Sequence, residues 1–391
     1  MNQVVIVGAG PGGATLALSL VKQGITVKLI EASRDFQRKF RGEGLMPSGL
    51  AALEQMGLLP VLEKIPHRQI DRWEVLINNK SLFRVDEPLE PGGKPCTVVS
   101  QPHFLTEIIK EASSYREFEF IQGAPVRDLI VDEKGRVSGV SLGAGKTINA
   151  DLTIAVDGRN STIRSKAGLE LKTLSSEISI LWFELSSGSL LTQTNTFYSI
   201  VRDRSTFGLF KSSQGDLHIG WGLYKDEALD WKNIDWRAKL ASVAPPWLAN
   251  HIRDENTTIS KPQLLSVVVG LCPQWSKSGL LLLGDAVHPM SPIRAQGINM
   301  ALQDVVTASK YLVPLFKNDL NYDSIDKTLP KIQAEREPEI IRIQKLQQEE
   351  LAQAEKLRHN PILRSLVTQF APLISPLIRL SWLRRQRKLR R

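Results

Sequence analysis

The chain predicts an α/β fold: a Rossmann-like nucleotide-binding domain with an inserted antiparallel-sheet domain and a C-terminal helical segment. Three observations predict it. An apolar run, Val4-Val5-Ile6-Val7, feeds directly into Gly8-Ala9-Gly10-Pro11-Gly12-Gly13. Alternating, aromatic-rich segments fill Ile178 to Leu223. The nucleotide-domain texture then returns at Leu280 to Leu283, ahead of a polar helical stretch after Pro330. With 391 residues, 42% of them hydrophobic and 23% charged, and a mean hydropathy of -0.14, the chain has material for two packed cores. Disorder and collagen-like repeats are excluded. The two cysteines, Cys96 and Cys272, have no CxxC or metal-ligand spacing, so neither a disulfide scaffold nor a metal site is expected.

The first unit is a βαβ motif. Strand Val4 to Val7 is followed by a helical pattern from Ala14 to Lys22, a turn at Gly24 and a strand from Thr26 to Ile30 that closes on Glu31. A diphosphate needs backbone N–H groups at close range. Gly8 therefore permits the tight turn, Gly10 the approach of the phosphates, and Gly13 close helix–strand packing. Glu31 stands where a carboxylate accepts hydrogen bonds from an adenosine ribose. Next come a strand at Phe118 to Ile121, a hairpin of Val126 to Val131 with Val137 to Leu142, and an apolar strand Leu152 to Val156 ending in Asp157-Gly158. The cluster Gly139, Gly143, Gly145 lies in that hairpin with no helix after it, so it marks no second nucleotide site. The inserted sheet follows, then strand Leu280 to Leu283 entering Gly284-Asp285, and a helix from Gly297 to Leu312. The expected division is 1-70, 97-175 and 262-340 for the nucleotide domain, 71-96 and 176-261 for a substrate domain, and 341-391 for C-terminal helices.

Two further segments choose the dinucleotide. Ala150 through Arg164, with Asp157-Gly158-Arg159 at its centre, resembles the DG motif of flavoprotein hydroxylases. Gly279 through Asp304, with Gly284-Asp285-Ala286-Val287-His288-Pro289, resembles their GD motif. On these motifs the chain resembles the class A, single-component, FAD-dependent aromatic hydroxylases and monooxygenases of the para-hydroxybenzoate hydroxylase fold. The resemblance implies FAD as cofactor and NADPH or NADH as co-substrate. It also implies O₂, and an aromatic or hydrophobic small molecule hydroxylated through a flavin C4a-hydroperoxide.

It further implies residue roles. Asp285 is suited to a ribityl hydroxyl, and Gln296-Gly297-Ile298-Asn299 would start a helix whose positive end faces the pyrimidine edge of the flavin. Arg41 matches an arginine at the diphosphate, and Gln101 stands where relatives often have arginine. Asp157 is expected to serve both FAD and NAD(P)H. Arg159 and Arg164 either meet the nicotinamide cofactor's phosphates or form structural ion pairs. Around Pro292 the chain departs from the family's glycine-rich run, and Arg294 brings a cation that would stabilise anionic reduced flavin, bind an acidic substrate or restrict flavin movement. His288 is a candidate general base, with packing beside the flavin as the alternative. Trp182, Tyr198, Phe210, His218 and Trp221 would line the substrate pocket or pack the core; alternation lets about half point inward. The competing functions are a flavin-dependent prenyl reductase or halogenase on the same fold, and a non-catalytic FAD-bound sensor.

The net charge is +9, but His359 to Arg391 contains no Asp or Glu and carries Arg364, Arg379, Arg384, Arg385, Arg387, Lys388, Arg390 and Arg391. The body is thus nearly neutral, and no nucleic-acid partner is expected. No secretory signal and no bilayer-spanning run is evident, which predicts a cytoplasmic protein, monomer or homodimer. Ile362, Leu363, Leu366, Val367 and Phe370, then Leu377, Ile378, Leu380, Trp382 and Leu383 before the arginines, make the tail a candidate for peripheral membrane contact. The alternative is a helix packed on the nucleotide domain or on a dimer partner.

Overall fold

The computed structural model describes residues 3–37, 43–174, 178–224, 230–318 and 321–390. It divides into two units: residues 1–65, 101–175 and 268–344, and residues 66–100, 176–267 and 345–391. The C-terminal residues are therefore no third body; they belong with the inserted sheet.

In the first unit, β1 (Gln3–Val7) leads into α1 (Pro11–Val21) and β2 (Thr26–Glu31), and β3 (Phe118–Gln122), β4 (Leu152–Ala155) and β5 (Leu280–Leu282) complete the parallel core of one sheet. Its order is Ser276–Lys277, β5, β4, β1, β2, β3, with only the two-residue edge strand antiparallel. Both faces are covered, so the strands are continuous apolar runs: Val4, Val5, Ile6, Leu152, Ile154 and Leu280 to Leu282 are fully buried. The chain passes from β1 to β2 and β3 on one side, then returns to β4 on the other. A crevice opens at such a reversal, beyond the carboxyl ends of β1 and β4. Helix α2 (Gln296–Lys317) follows β5, and α3 (Tyr322–His359) follows α2. The hairpin Val126–Val131 with Val137–Leu142 forms at the expected residues.

The second unit is a seven-stranded sheet in the order Gln263–Leu265, Ile178–Leu185, Leu217–Tyr224, Ser205–Lys211, Thr196–Arg202, Arg72–Ile77, Lys80–Asp86. It is antiparallel except where Thr196–Arg202 runs parallel to Arg72–Ile77, because that strand arrives from an earlier excursion of the chain and not through a hairpin. Alternation sorts the aromatics as expected. Tyr198 and Trp221 lie on the face covered by helices Trp236–Val243 and Pro246–Arg253, with ring centroids 5.2 Å from Trp247 and 5.4 Å from Trp236. Trp182, Phe210 and His218 share the other face with Trp73 and Phe197; Phe210 lies 5.6 Å from both Phe197 and His218. On this face His218 Nε2 stands 3.8 Å from Glu184 Oε2.

Two helices end the chain, α4 (Pro361–Gln369) and α5 (Ala371–Arg390), bent by 104° at their junction. No single helix among the described residues is long and apolar enough to cross a membrane.

Candidate active site

The glycine loop follows from backbone geometry. Gly8 has φ +101°, and a Cβ there would lie 2.4 Å from the Val156 carbonyl oxygen. A Cβ on Gly13 would lie 1.9 Å from the Gly8 carbonyl, so α1 could not approach its own loop. Gly10 differs: its φ is -72° and a Cβ would meet nothing within 4 Å. The space beside Gly10, at the N-terminus of α1, is where an anion is received by free N–H groups. Glu31 is 4% exposed and accepts hydrogen bonds from Ala9 N–H through Oε2 and Ser33 N–H through Oε1, both at 2.8 Å. It thereby holds the glycine loop in place.

Asp157 follows β4 and its Oδ2 accepts from Ile163 N–H at 3.1 Å. Its Oδ1 is buried and has no hydrogen-bond partner among the described residues. Arg164 donates to the Ala286 carbonyl at 2.7 Å and to the Arg159 carbonyl at 3.0 Å. It therefore ties the two motif loops together, a structural role made through backbone carbonyls and not through an ion pair; Arg159 stays partly exposed.

Asp285 is exposed, and a Cβ on Gly297 would sit 3.7 Å from its Oδ1, so the carboxylate borders the start of α2. Pro292 accepts the Ala295 N–H at 3.0 Å, closing a short turn in which Arg294 (φ 61°) and Ala295 (φ 51°) both adopt the left-handed conformation. Two consecutive non-glycine residues in that region represent backbone strain held by the surroundings. Gln296, fully buried, donates Nε2 to the Arg294 carbonyl at 2.9 Å, while its Oε1 has no partner among the described residues. Ile298 is buried. Asn299 is fully buried and committed: its Oδ1 accepts from Met46 N–H at 2.9 Å, and its Nδ2 donates to Gly44 and Ala295 carbonyls at 3.1 and 2.6 Å. Its side-chain groups are thereby spent on positioning the helix start. Gln101 is 7% exposed at the start of helix Gln101–Ala112. Arg41 lies outside the described residues.

His288 does not stand where a base would. It is 1% exposed, with Nε2 2.6 Å from Asp304 Oδ2, and its ring centroid is 5.2 Å from that of Trp275. Asp304 is fully buried; it also accepts from Gly284 N–H at 3.0 Å and from Arg336 Nε at 2.8 Å. Burial alone would raise its carboxyl, but the charges of His288 and Arg336 hold it below the usual range. The expectation of a catalytic His288 is thus replaced by a buried His–Asp–Arg chain that anchors the loop carrying Asp285. Arg336 carried no sequence signal, being one of many polar residues on a long helix.

A bound FAD fits these residues: the open side of Gly10 suits a diphosphate, and Asp157 Oδ1 and Gln296 Oε1 are buried acceptors that need donors. Similarity to known proteins agrees. Residues 1–327 match the family model described as an FAD binding domain. The chain is 31% identical over 354 residues to 6-methylpretetramide 4-monooxygenase of Streptomyces rimosus, covering 88% of this chain and 82% of that one. It is 28% identical to squalene monooxygenase 1,2 of Brassica napus over 80% of this chain, but spans only 61% of that relative. Among solved structures, P. aeruginosa PqsL in complex with 2-aminobenzoylacetate has the same fold, with TM-score 0.78 at 20% identity over 95% of this chain and 99% of that one. The chain belongs to the FAD-binding-domain family and is an FAD-dependent monooxygenase of the aromatic hydroxylase fold.

Proposed function

We propose that this protein uses NADPH or NADH and O₂ to hydroxylate an aromatic or hydrophobic small molecule in the cytoplasm. The observation that carries the reading is the meeting of three motif loops in one unit, with Asp157 Oδ1 and Gln296 Oε1 left as buried acceptors. FAD, when bound, supplies the redox chemistry and the activation of O₂. The protein binds and orients. The glycine loop receives the diphosphate, Asp285 a ribityl hydroxyl, and the start of α2 places positive potential where reduced flavin is negative. Arg294, held in its strained turn, adds a cation on the same side. The aromatic face of Trp182, Phe197 and Phe210 in the second unit supports an aromatic substrate, as does similarity to a monooxygenase named for 6-methylpretetramide.

Purified protein is expected to be yellow, and NAD(P)H consumption to accelerate with the right substrate. The product should be about 16 mass units heavier, its added oxygen labelled by ¹⁸O₂. A product with a saturated double bond, formed without O₂, would make the protein a reductase. Flavin that no substrate causes to be reduced would make it a sensor.

Asp157 gives a separable prediction. Burial pushes its carboxyl above the ordinary range, against hydrogen bonds from Ser161 and from the Ile163 backbone that pull it down. A raised folded-state pKa means the stability tied to this group is present below the unfolded value, about 3.9, and is lost as pH rises through the folded value. Asp157→Asn should therefore raise the apoprotein melting temperature at pH 7 by roughly 2–4 °C and not at pH 3. It should also weaken FAD binding about tenfold, since a neutral acceptor is roughly half as strong as a charged one. A lower apoprotein melting temperature at pH 7 would contradict this account.

A further inference from the structure

The C-terminal helices use only part of their surface to pack. Trp382 is 4% exposed, with ring centroids 6.2 Å from Trp73 and 5.6 Å from Phe83, and Ser375 donates to the Leu82 carbonyl at 2.5 Å. Gln386 donates to Glu350 at 2.9 Å and Arg390 pairs with the buried Glu87. On α4, Arg364 is buried on the Leu357 and Arg358 carbonyls. The tryptophan and these two arginines, which the sequence offers as membrane anchors, are thus consumed by packing within the second unit.

The opposite side remains. Ile362 (71% exposed), Leu363, Leu366 and Phe370 on α4 continue into Leu373 (75%), Leu377 (70%) and Leu380 on α5. Along α5 the exposed stripe Leu373, Leu377, Leu380, Arg384, Arg387 repeats at alternating four- and three-residue steps, so one helix face changes from apolar to cationic along its length. Lys388 and Arg379 are exposed as well. Within His359 to Arg391 there is no acidic residue; of the glutamates that approach this cationic end from elsewhere in the unit, Glu87 and Glu350 meet Arg390 and Arg385 on the packed side, and Glu90, half-exposed, lies 3.6 Å from Arg387. Seven exposed large apolar side chains on two consecutive helices exceed the singly scattered surface hydrophobics of an ordinary monomer.

We propose that this stripe docks the enzyme peripherally on an anionic phospholipid surface. The leucines and Phe370 enter the boundary between headgroups and acyl chains, and Arg384, Arg387 and Lys388 lie at the lipid phosphates. The charge pattern selects this occupant: a second copy would bring the same cations face to face, whereas anionic lipid offers apolar depth and negative charge together. The proposal is independent of the hydroxylation reading, because it concerns a surface of the second unit and needs no turnover.

The test is cosedimentation of the full-length FAD-bound protein with phosphatidylcholine vesicles containing or lacking phosphatidylglycerol. Binding is expected only with phosphatidylglycerol and should weaken with salt. Leu373→Asp with Leu377→Asp should reduce partitioning at least tenfold. Arg384→Glu should reduce it at least fivefold, about the contribution of one cation at an anionic surface. Flavin absorbance unchanged in each variant shows that the fold is intact. Protein that stays in the supernatant with anionic vesicles, or an aspartate variant that binds as well as the parent, overturns the proposal. So does a dimer seen by light scattering that the aspartates dissociate without any vesicle binding, which would assign the stripe to a second copy.

Discussion

Gly10→Val is expected to yield a folded, colourless protein, whereas Gly13→Val is expected to yield little folded protein at all. Both belong to the same glycine motif, yet their surroundings are opposite. A Cβ on Gly10 meets no protein atom within 4 Å, and its φ of -72° suits any residue. Valine at this N-cap costs about 1 kcal/mol or less in helix stability. Its methyl groups would fill the space the diphosphate needs, so FAD affinity should fall at least ~100-fold, the scale of losing several charge-assisted hydrogen bonds at a helix N-terminus. At Gly13 the added Cβ would sit 1.9 Å from the Gly8 carbonyl oxygen, a backbone atom that cannot rotate away. The ratio of flavin to protein absorbance, with far-ultraviolet circular dichroism and thermal melting, separates the two outcomes. A yellow Gly10→Val protein would mean that the diphosphate does not pass over this glycine.

Asp304→Asn is expected to destabilise the protein by about 3–5 kcal/mol, lowering the melting temperature by roughly 10 °C, and to loosen FAD. The carboxylate is fully buried between His288, Arg336 and the Gly284 N–H. Removing its charge leaves the Arg336 guanidinium buried beside Glu339 as its remaining acidic partner. Flavin loss follows because the Gly284 N–H anchors the turn that presents Asp285. The pH dependence has a definite sign. The Asp304 carboxyl is held below the ordinary range, so its stabilisation is present above the unfolded value of about 3.9 and is lost as pH falls through the lower folded value. The Asn variant should lack this acid limb. Equal melting temperatures of the two proteins at pH 7 would remove the structural role given to the His–Asp–Arg chain. Catalysis by His288 as a base would then have to be reconsidered through the pH profile of turnover.

Much of the site was legible because it is local. Gly8, Gly10 and Gly13 sit within one turn, and the requirement for missing side chains is written in consecutive residues. Glu31, Asp157 and Asp285 follow apolar strands, and a parallel sheet delivers its strand ends to one edge. The left-handed Arg294 and Ala295 were not legible, since nothing short-range marks a non-glycine residue for that conformation; neighbouring contacts impose it. Arg336 was invisible for a related reason: its partner Asp304 lies more than thirty residues earlier, and only packing brings them to 2.8 Å. For the aromatics, alternation separated Trp221 from His218 but could not say which face the helices would cover.

The sequence by itself determined the nucleotide-binding unit, the order of its motifs and the existence of an amphipathic, basic tail, because those properties depend on residues close together in the chain. Tertiary structure alone decided which groups are spent on stability. His288 went to Asp304, Asn299 to the backbone around Gly44 and Met46, Arg164 to two carbonyls, and Trp382 to Trp73 and Phe83. The physical reason is that a side chain's type limits the bonds it can make, but burial beside a particular partner fixes the one it does make. What remains at the surface or unsatisfied in the interior is then available for ligands.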